Sequence, residues 1–376
     1  MYNIVLANNN FFRMRVCIVG GGLTGAIAAS LLRSSLPALH IELWDKASRF
    51  GGRMCTKRKP SEPRVSGVDV GAQYISSTPE YYAAHKSYYS DLVARGVLQP
   101  MTCRITDDRH PPDTRHFVAP NGMSSVVQHF VDKAACTARL GTQVRDLQYE
   151  WDKCEGKSRW RVAAADGEVV LFDAVLLTLP VPQMLALGGD LTAAIDKVAG
   201  LRSELEAVSY SSRFCLGLFY PASVADQIIL PEGVAAMYIT NSDSPFCYVA
   251  IDNLRRGLAA GDDGFLSVMV HTSRAFGAAR VEEQKEALLP ELLDSFRRLF
   301  PSWPAPCDAF CHKWRYSQVV TPVPESRGGS VAVGGGEVVL SGDAFTHSNV
   351  DGCIRAATSA AAALTQYVAG LKTADK

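Results

Sequence analysis

Gly20, Gly22 and Gly25 stand in the spacing Gly-x-Gly-x-x-Gly, directly after the apolar run Val16-Cys17-Ile18-Val19. That spacing suits a phosphate. The first glycine permits a tight turn, the second lets backbone approach a pyrophosphate, and the third lets a helix pack closely on its strand. A helix opening there offers free amide N–H groups and the positive end of its dipole. Thr24 adds a hydroxyl inside the same turn. The next run, His40-Ile41-Glu42-Leu43-Trp44, ends at Asp45, 20 residues beyond Gly25. An acid there holds the ribose hydroxyls of an adenosine and disfavours a 2′-phosphate. Gly51-Gly52-Arg53 begin six residues after Asp45. They bring more backbone and a guanidinium, suited to bidentate phosphate contact, to the same pyrophosphate.

These residues need a strand, a turn and a helix to position them. Val16 to Leu32 carries no charge and is flanked by Arg13, Arg15 and Arg33, so it mimics a secretion signal. Its internal pattern is a β-branched run, three glycines, then Leu23, Ile27 and Leu31 at helical spacing. We therefore expect a strand–turn–helix of the mature protein. Residues 1–13, with Asn8-Asn9-Asn10, read as an N-terminal extension, and Met14 as an alternative start. Gly334-Gly335-Gly336 is a decoy: the third spaced position is Val339, and a strand follows. It reads as a hairpin turn, which leaves one dinucleotide fold and no second nicotinamide-binding unit.

Elsewhere, Trp160-Arg161-Val162 and Val169-Val170-Leu171 predict paired strands around Asp166-Gly167. Asp173 to Leu179 predicts a buried parallel strand stopped by Pro180. Short strands at Phe214–Tyr220, Ala235–Thr240, Cys247–Asp252 and Leu266–His271 predict an antiparallel sheet. Leu288, Leu292, Leu293 and Phe296 share one face of a helix expected over 281–300. The expected division is discontinuous: 14–75, 117–205 and 326–376 bind the cofactor, while 76–116 and 206–325 bind the substrate.

Composition sets bounds. The 376 residues are 47% apolar and 20% charged, with Lys+Arg and Asp+Glu both 38. Zero net charge gives no global field toward nucleic acid or anionic lipid. No uninterrupted apolar run is long enough to span a membrane. The ten cysteines form no CxxC pair and read as reduced, scattered thiols. Cys307, Cys311 and His312 lack a fourth ligand, so no metal is expected.

The Asp45 and Gly51-Gly52-Arg53 arrangement resembles the extended dinucleotide signature of amine-oxidase and phytoene-desaturase-type flavoproteins. Further segments narrow this. Trp44-Asp45-Lys46-Ala47, Gly71-Ala72-Gln73-Tyr74-Ile75, Leu205 to Arg213, Lys313-Trp314-Arg315 and Ser348 to Ile354 are similar to the renalases of animals. The likeness runs from about residue 15 to the end, with Ala344 replacing a glycine and a third glycine at 20–22 as departures.

The resemblance implies an α/β fold with a Rossmann-like FAD-binding domain. A substrate domain with a mostly antiparallel sheet completes it, as in p-hydroxybenzoate hydroxylase. It implies non-covalent FAD, since Cys353 lacks the local motif of covalent attachment. Gln73 and Tyr74 would then pass beside the flavin ring, and Gly342-Asp343 would hold the ribityl chain. Gly352, Cys353 and Ile354 would open a helix whose dipole stabilises reduced flavin. The implied activity is oxidation of the 2- and 6-dihydro isomers of NAD(P)H by hydride transfer to flavin N5. O2 is then reduced to H2O2. Such a transfer needs alignment more than an acid or base, and no nucleophile set stands in the sequence. Tyr74, Tyr210, Tyr238 and Trp314 are candidates to stack on a nicotinamide, and Arg213 and Arg315 to meet phosphates. His347 is a candidate for a proton role. Catecholamine oxidation, or a secreted signalling role with structural FAD, are the alternatives. The expected location is the cytosol, with export as the alternative.

Overall fold

The computed structural model describes residues 14–59, 67–106, 110–258 and 264–374. The expected N-terminal extension, 1–13, lies outside them. Six strands form the first sheet, in the spatial order Ser330–Val333, Val338–Ser341, Ala174–Leu177, Arg15–Val19, His40–Asp45, Thr137–Leu140. Its pairs are parallel, except the antiparallel hairpin of Ser330–Val333 with Val338–Ser341. Gly334 to Gly336 make that hairpin's turn, all at positive φ. The central strands are apolar on both faces, as a parallel sheet covered on both sides requires. On one face, Ile18, Ile41 and Leu43 pack with Ile27, Val127 and Leu364 from the helices Leu23–Ser35, Ser124–Ala134 and Val350–Ala374. On the other, Cys17, Trp44 and Val175 pack with Leu147, Trp160 and Phe172 of a smaller sheet.

The second large sheet has the order Asp308–Thr321, Ser209–Pro221, Phe265–Thr272, Phe246–Ile251, Ala236–Tyr238, Ile105–Thr106. All four strands expected here are present, and only the Ile105–Thr106 pairing is parallel. Alternation sorts its residues. Phe214, Leu216 and Leu218 bury against Leu288, Leu292 and Phe296 of the helix Lys285–Leu299. Cys215 and Phe219 point the other way, toward Val68, Val70 and Trp314. Phe310 and Trp314, packed on this face, line the same cleft as the glycine loops of the first layer.

Residues 76–116, expected with the substrate domain, divide between the layers. Tyr89, Leu92 and Leu98 bury in the core beneath the first sheet, beside Ile27 and Phe117. Among the described residues of this segment, only Ile105–Thr106 joins the large sheet. The apolar face of the helix Lys86–Ala94 decides this, because Tyr89 and Leu92 are its buried residues.

Candidate functional site

The first helix starts at Leu23 with Gly22 as its N-cap, and no side chain caps it. Its first amides are therefore left for another acceptor. Gly25 is a packing glycine: a Cβ there would sit 2.1 Å from the Gly20 carbonyl oxygen. Gly22 is different. A Cβ there would meet nothing nearer than Gly52 Cα at 4.0 Å. Its bare backbone keeps open space rather than a close contact. Gly51 N donates to Gly21 O at 3.0 Å, fastening the two glycine loops face to face. Asp45 ends its strand beside them. Its carboxylate accepts from Gly21 N (2.6 Å) and Ala47 N (2.7 Å).

Arg53 and Asp343 were expected to serve different parts of the cofactor. In the structure they hold each other in a bidentate pair, at 2.6 and 2.5 Å. Ser348 Oγ donates to the same carboxylate and accepts from Val319 N at 2.8 Å. Thus residues 290 apart in sequence meet at the cleft floor. Cys353 lines the cleft near Thr24. Burial, then the Asp343 charge, pushes its thiol up to about 12. It stays protonated and is no nucleophile at neutral pH. Ile354 lies in the core beneath the sheet rather than on the cleft. Gly352 is a packing residue: its N–H donates to Asn349 Oδ1 (2.6 Å), and a Cβ would strike the His347 carbonyl. Gly342 ends the strand before Asp343 and, like Gly25, is outside the cleft lining.

The segment 68–75 is held by a buried charge cluster invisible to motif reading. Asp69, Asp252, Arg255 and Arg256 are all at most 2% exposed. Arg255 Nη2 donates to Asp69 and Asp252, each at 2.8 Å, and its Nη1 donates to the Gln73 carbonyl. Asp69 also accepts from Thr56 Oγ1 (2.6 Å) and Met123 N (2.8 Å). Burial alone would raise its pKa, but Arg256 and Arg255 outweigh that and hold it below the usual carboxylate range. The adjacent Val70 carbonyl accepts from Trp314 Nε1 at 2.8 Å, and His271 Nε2 lies 3.0 Å away. These bonds fix Gln73 and Tyr74, which both line the cleft.

At the sheet end, Tyr74 and Tyr238 share a 3.0 Å hydroxyl hydrogen bond, and the Tyr238 ring lies 5.0 Å from that of Tyr248. Arg213 reaches Cys247 Sγ (3.0 Å) and the Thr272 carbonyl (3.2 Å). Tyr74, Tyr238, Arg213, Trp314 and Arg315 line the cleft. Arg315 is already in a bidentate pair with Glu282 at 2.7 Å. Tyr210 corrects the expectation. It is not in the lining: its hydroxyl accepts from Val181 N (3.1 Å) and its ring meets Tyr316 edge-on. It braces the wall from behind. His347 stacks on Tyr81 at 5.3 Å, also outside the lining.

The cleft encloses about 1840 Å³ and runs from the glycine loops to the large sheet, more than a drug-sized ligand requires. Among the described residues its lining has two carboxylates, Asp45 and Asp343, both at the glycine-loop end. Toward the sheet stand Lys57, Arg213, Arg274, Lys285, Lys313 and Arg315.

Two half-buried histidines near this end make stability depend on pH. Burial lowers His271 to about 4 and His312 to about 3. An unfolded histidine titrates near about 6.5. Between those values the unfolded chain binds more protons, so stability is fully present above about 6.5 and falls on acidification. Denaturant midpoints should drop between about pH 7 and about pH 5, before most carboxylates titrate. A flat profile over that window would refute neutral burial of both rings.

With this geometry in place, comparison with known proteins is direct. Residues 102–365 match the flavin containing amine oxidoreductase family, and residues 18–92 match the NAD(P)-binding Rossmann-like domain. The chain is 36% identical to renalase of Mus musculus over 355 residues, covering 94% of this chain and 99% of that one. A solved protein of Exiguobacterium sp. 255-15 shares the fold at TM-score 0.67 and 14% identity, with 94% and 99% of the two chains covered. An engineered putrescine oxidase does so at TM-score 0.65 and 14% identity, with the same coverage.

Proposed function

The chain belongs to the renalase family of flavin containing oxidoreductases, and from that premise we propose that it oxidises the 2- and 6-dihydro isomers of NAD(P)H to NAD(P)+. It is an FAD-dependent oxidoreductase with a small-molecule substrate. The fit to FAD rests on its own residues: an uncapped helix start, an open cradle at Gly22 and an acid at Asp45. We assign Gly20, Gly22, Thr24, Gly52 and the first helix amides to the pyrophosphate, and Asp45 to the ribose. Arg53 and Asp343 hold the middle of the cofactor as a pair, with Gln73 and Tyr74 at its ring. Bound FAD supplies hydride acceptance at N5 and reoxidation by O2 to H2O2. Residues 14–75, 117–205 and 326–376 then bind cofactor, 206–325 binds substrate, and 76–116 is shared.

One observation supports the substrate class most. Among the described residues, the sheet half of the cleft carries lysines and arginines without a lining carboxylate. A phosphate-bearing dinucleotide offsets that charge, whereas a protonated amine is repelled by it. Tyr74, Tyr238 and Trp314 give flat walls for a planar ring and exclude water from it. Their rigid hydrogen bonds to each other and to Val70 O keep the ring aligned. The hydrogen-bonded tyrosine pair favours the second reading, amine oxidation, because aromatic faces also hold cations. Mixing the enzyme anaerobically with 6-dihydro-NAD should bleach the flavin within one turnover, while catecholamines leave it oxidised. The reverse result would overturn the proposal. The ten free cysteines support a reducing setting such as the cytosol. Among the described residues no helix is long and apolar enough to cross a membrane.

A further inference from the structure

We propose that Lys57, Lys285 and His312 form an anion subsite at the sheet end of the cleft, which takes the phosphate groups of the dinucleotide substrate. The assignment of the anion to a substrate rests on the proposed function; the subsite itself rests on its own residues.

Three separate elements bring these side chains to one wall. Lys57 ends the short strand Thr56–Lys57, fixed by pairing with Val68–Asp69. Lys285 opens the helix Lys285–Leu299. His312 lies on the edge strand of the large sheet, opposite Cys215.

Their surroundings are unbalanced. Lys57 Nζ lies 5.6 Å from the Phe310 ring centroid and has no carboxylate partner among the described residues. Burial makes its ammonium harder to keep; Cys55 works against this and Lys285 adds to it. Among the described residues Lys285 pairs only with Glu286, whose side chain is 70% exposed, so that pair offsets little. His312 Nε2 is buried with no hydrogen-bond partner. Burial, followed by Lys57 and Lys285, keeps its imidazole neutral. Two ammonium groups and an unsatisfied imidazole nitrogen thus line one cleft, and no carboxylate of the described residues lines it at this end. A bound anion removes all three costs at once.

The other cations of this wall are already used. Lys313 Nζ donates to the Val281 and Glu283 carbonyls, holding the turn before the helix. Arg315 is paired with Glu282. An ammonium is a compact point charge that meets phosphate oxygens without requiring planar geometry.

The test uses the FAD-loaded enzyme and inorganic pyrophosphate, read by calorimetry. Wild type should bind pyrophosphate, less tightly as salt rises. Lys57→Met and Lys285→Met should each weaken binding about tenfold. Lys197→Met, on an exposed lysine outside the lining, should not change it. Equal affinity in wild type and the double variant would overturn the subsite. Flavin content reports folding, and Lys285, at an exposed helix start, gives a variant independent of the buried strand. A second arm compares 6-dihydro-NAD with the phosphate-free dihydronicotinamide riboside. The lysine variants should raise the half-saturating concentration of the dinucleotide about tenfold and erase its advantage over the riboside. Retention of that advantage would refute the link to substrate. If wild type is reduced by neither compound, the proposed activity falls, and the pyrophosphate result alone decides the subsite.

Discussion

Gly22→Asp will yield a folded protein that purifies without its yellow colour. The backbone of Gly22 is ordinary, with φ −86° and ψ −174°, so an L side chain adopts it without strain. The protein leaves room, since a Cβ there comes no closer than 4.0 Å to Gly52 Cα. What the side chain enters is the space kept for the pyrophosphate. A carboxylate about 4 Å from a phosphate charge costs on the order of 4 kcal/mol near a protein surface, or roughly a thousandfold in affinity. Flavin absorbance per protein should fall to the detection limit, while far-UV circular dichroism matches wild type. Retained flavin at normal occupancy would overturn the site. Gly25→Ala gives the opposite pattern, because its Cβ strikes the Gly20 carbonyl and the turn itself must shift.

Arg255→Met should be the most destabilising conservative change in the chain. It leaves Asp69 and Asp252 buried with Arg256 as their remaining cation. Breaking a buried ion pair in this way costs about 3–5 kcal/mol, because the surviving charge is uncompensated. The guanidinium midpoint should move accordingly. Arg95→Met removes an exposed pair with Asp91 and should shift stability by less than about 1 kcal/mol. The Arg255 variant should also bind FAD less tightly, because Arg255 holds the Gln73 carbonyl at the cleft wall. Equal midpoints for the two variants would show that the cluster contributes no net stability.

The nucleotide half of the site was legible because its signals are local. Glycine spacing, the strand ending at Asp45 and the Gly51-Gly52-Arg53 turn all lie within 34 residues. The central strands of both sheets followed from runs and turns, including the Gly334–Gly336 hairpin that only imitates a phosphate loop, whereas the edge strands Thr137–Leu140, Ile105–Thr106 and Asp308–Thr321 did not. The Asp69–Arg255 pair was not legible, because its partners are 186 residues apart. Its one hint is Asp252, Arg255 and Arg256 following an apolar strand, where such charges are ordinarily solvated. Tyr210 was misjudged for a related reason. The strand register shifts between Ser211 and Arg213, so residue spacing does not give its direction. The pairing of Arg53 with Asp343 was equally hidden, since each alone fits a ligand role.

That last pair sets an order of events during biogenesis. One carboxylate of the site arrives after the strand Val338–Ser341, 290 residues after Arg53. The helix Val350–Ala374, which packs on the first helix, comes later still. A nascent chain therefore carries its glycine loops long before the opposite wall exists. Cofactor loading then waits for Asp343, and a ribosome-stalled chain ending before residue 338 should emerge without flavin.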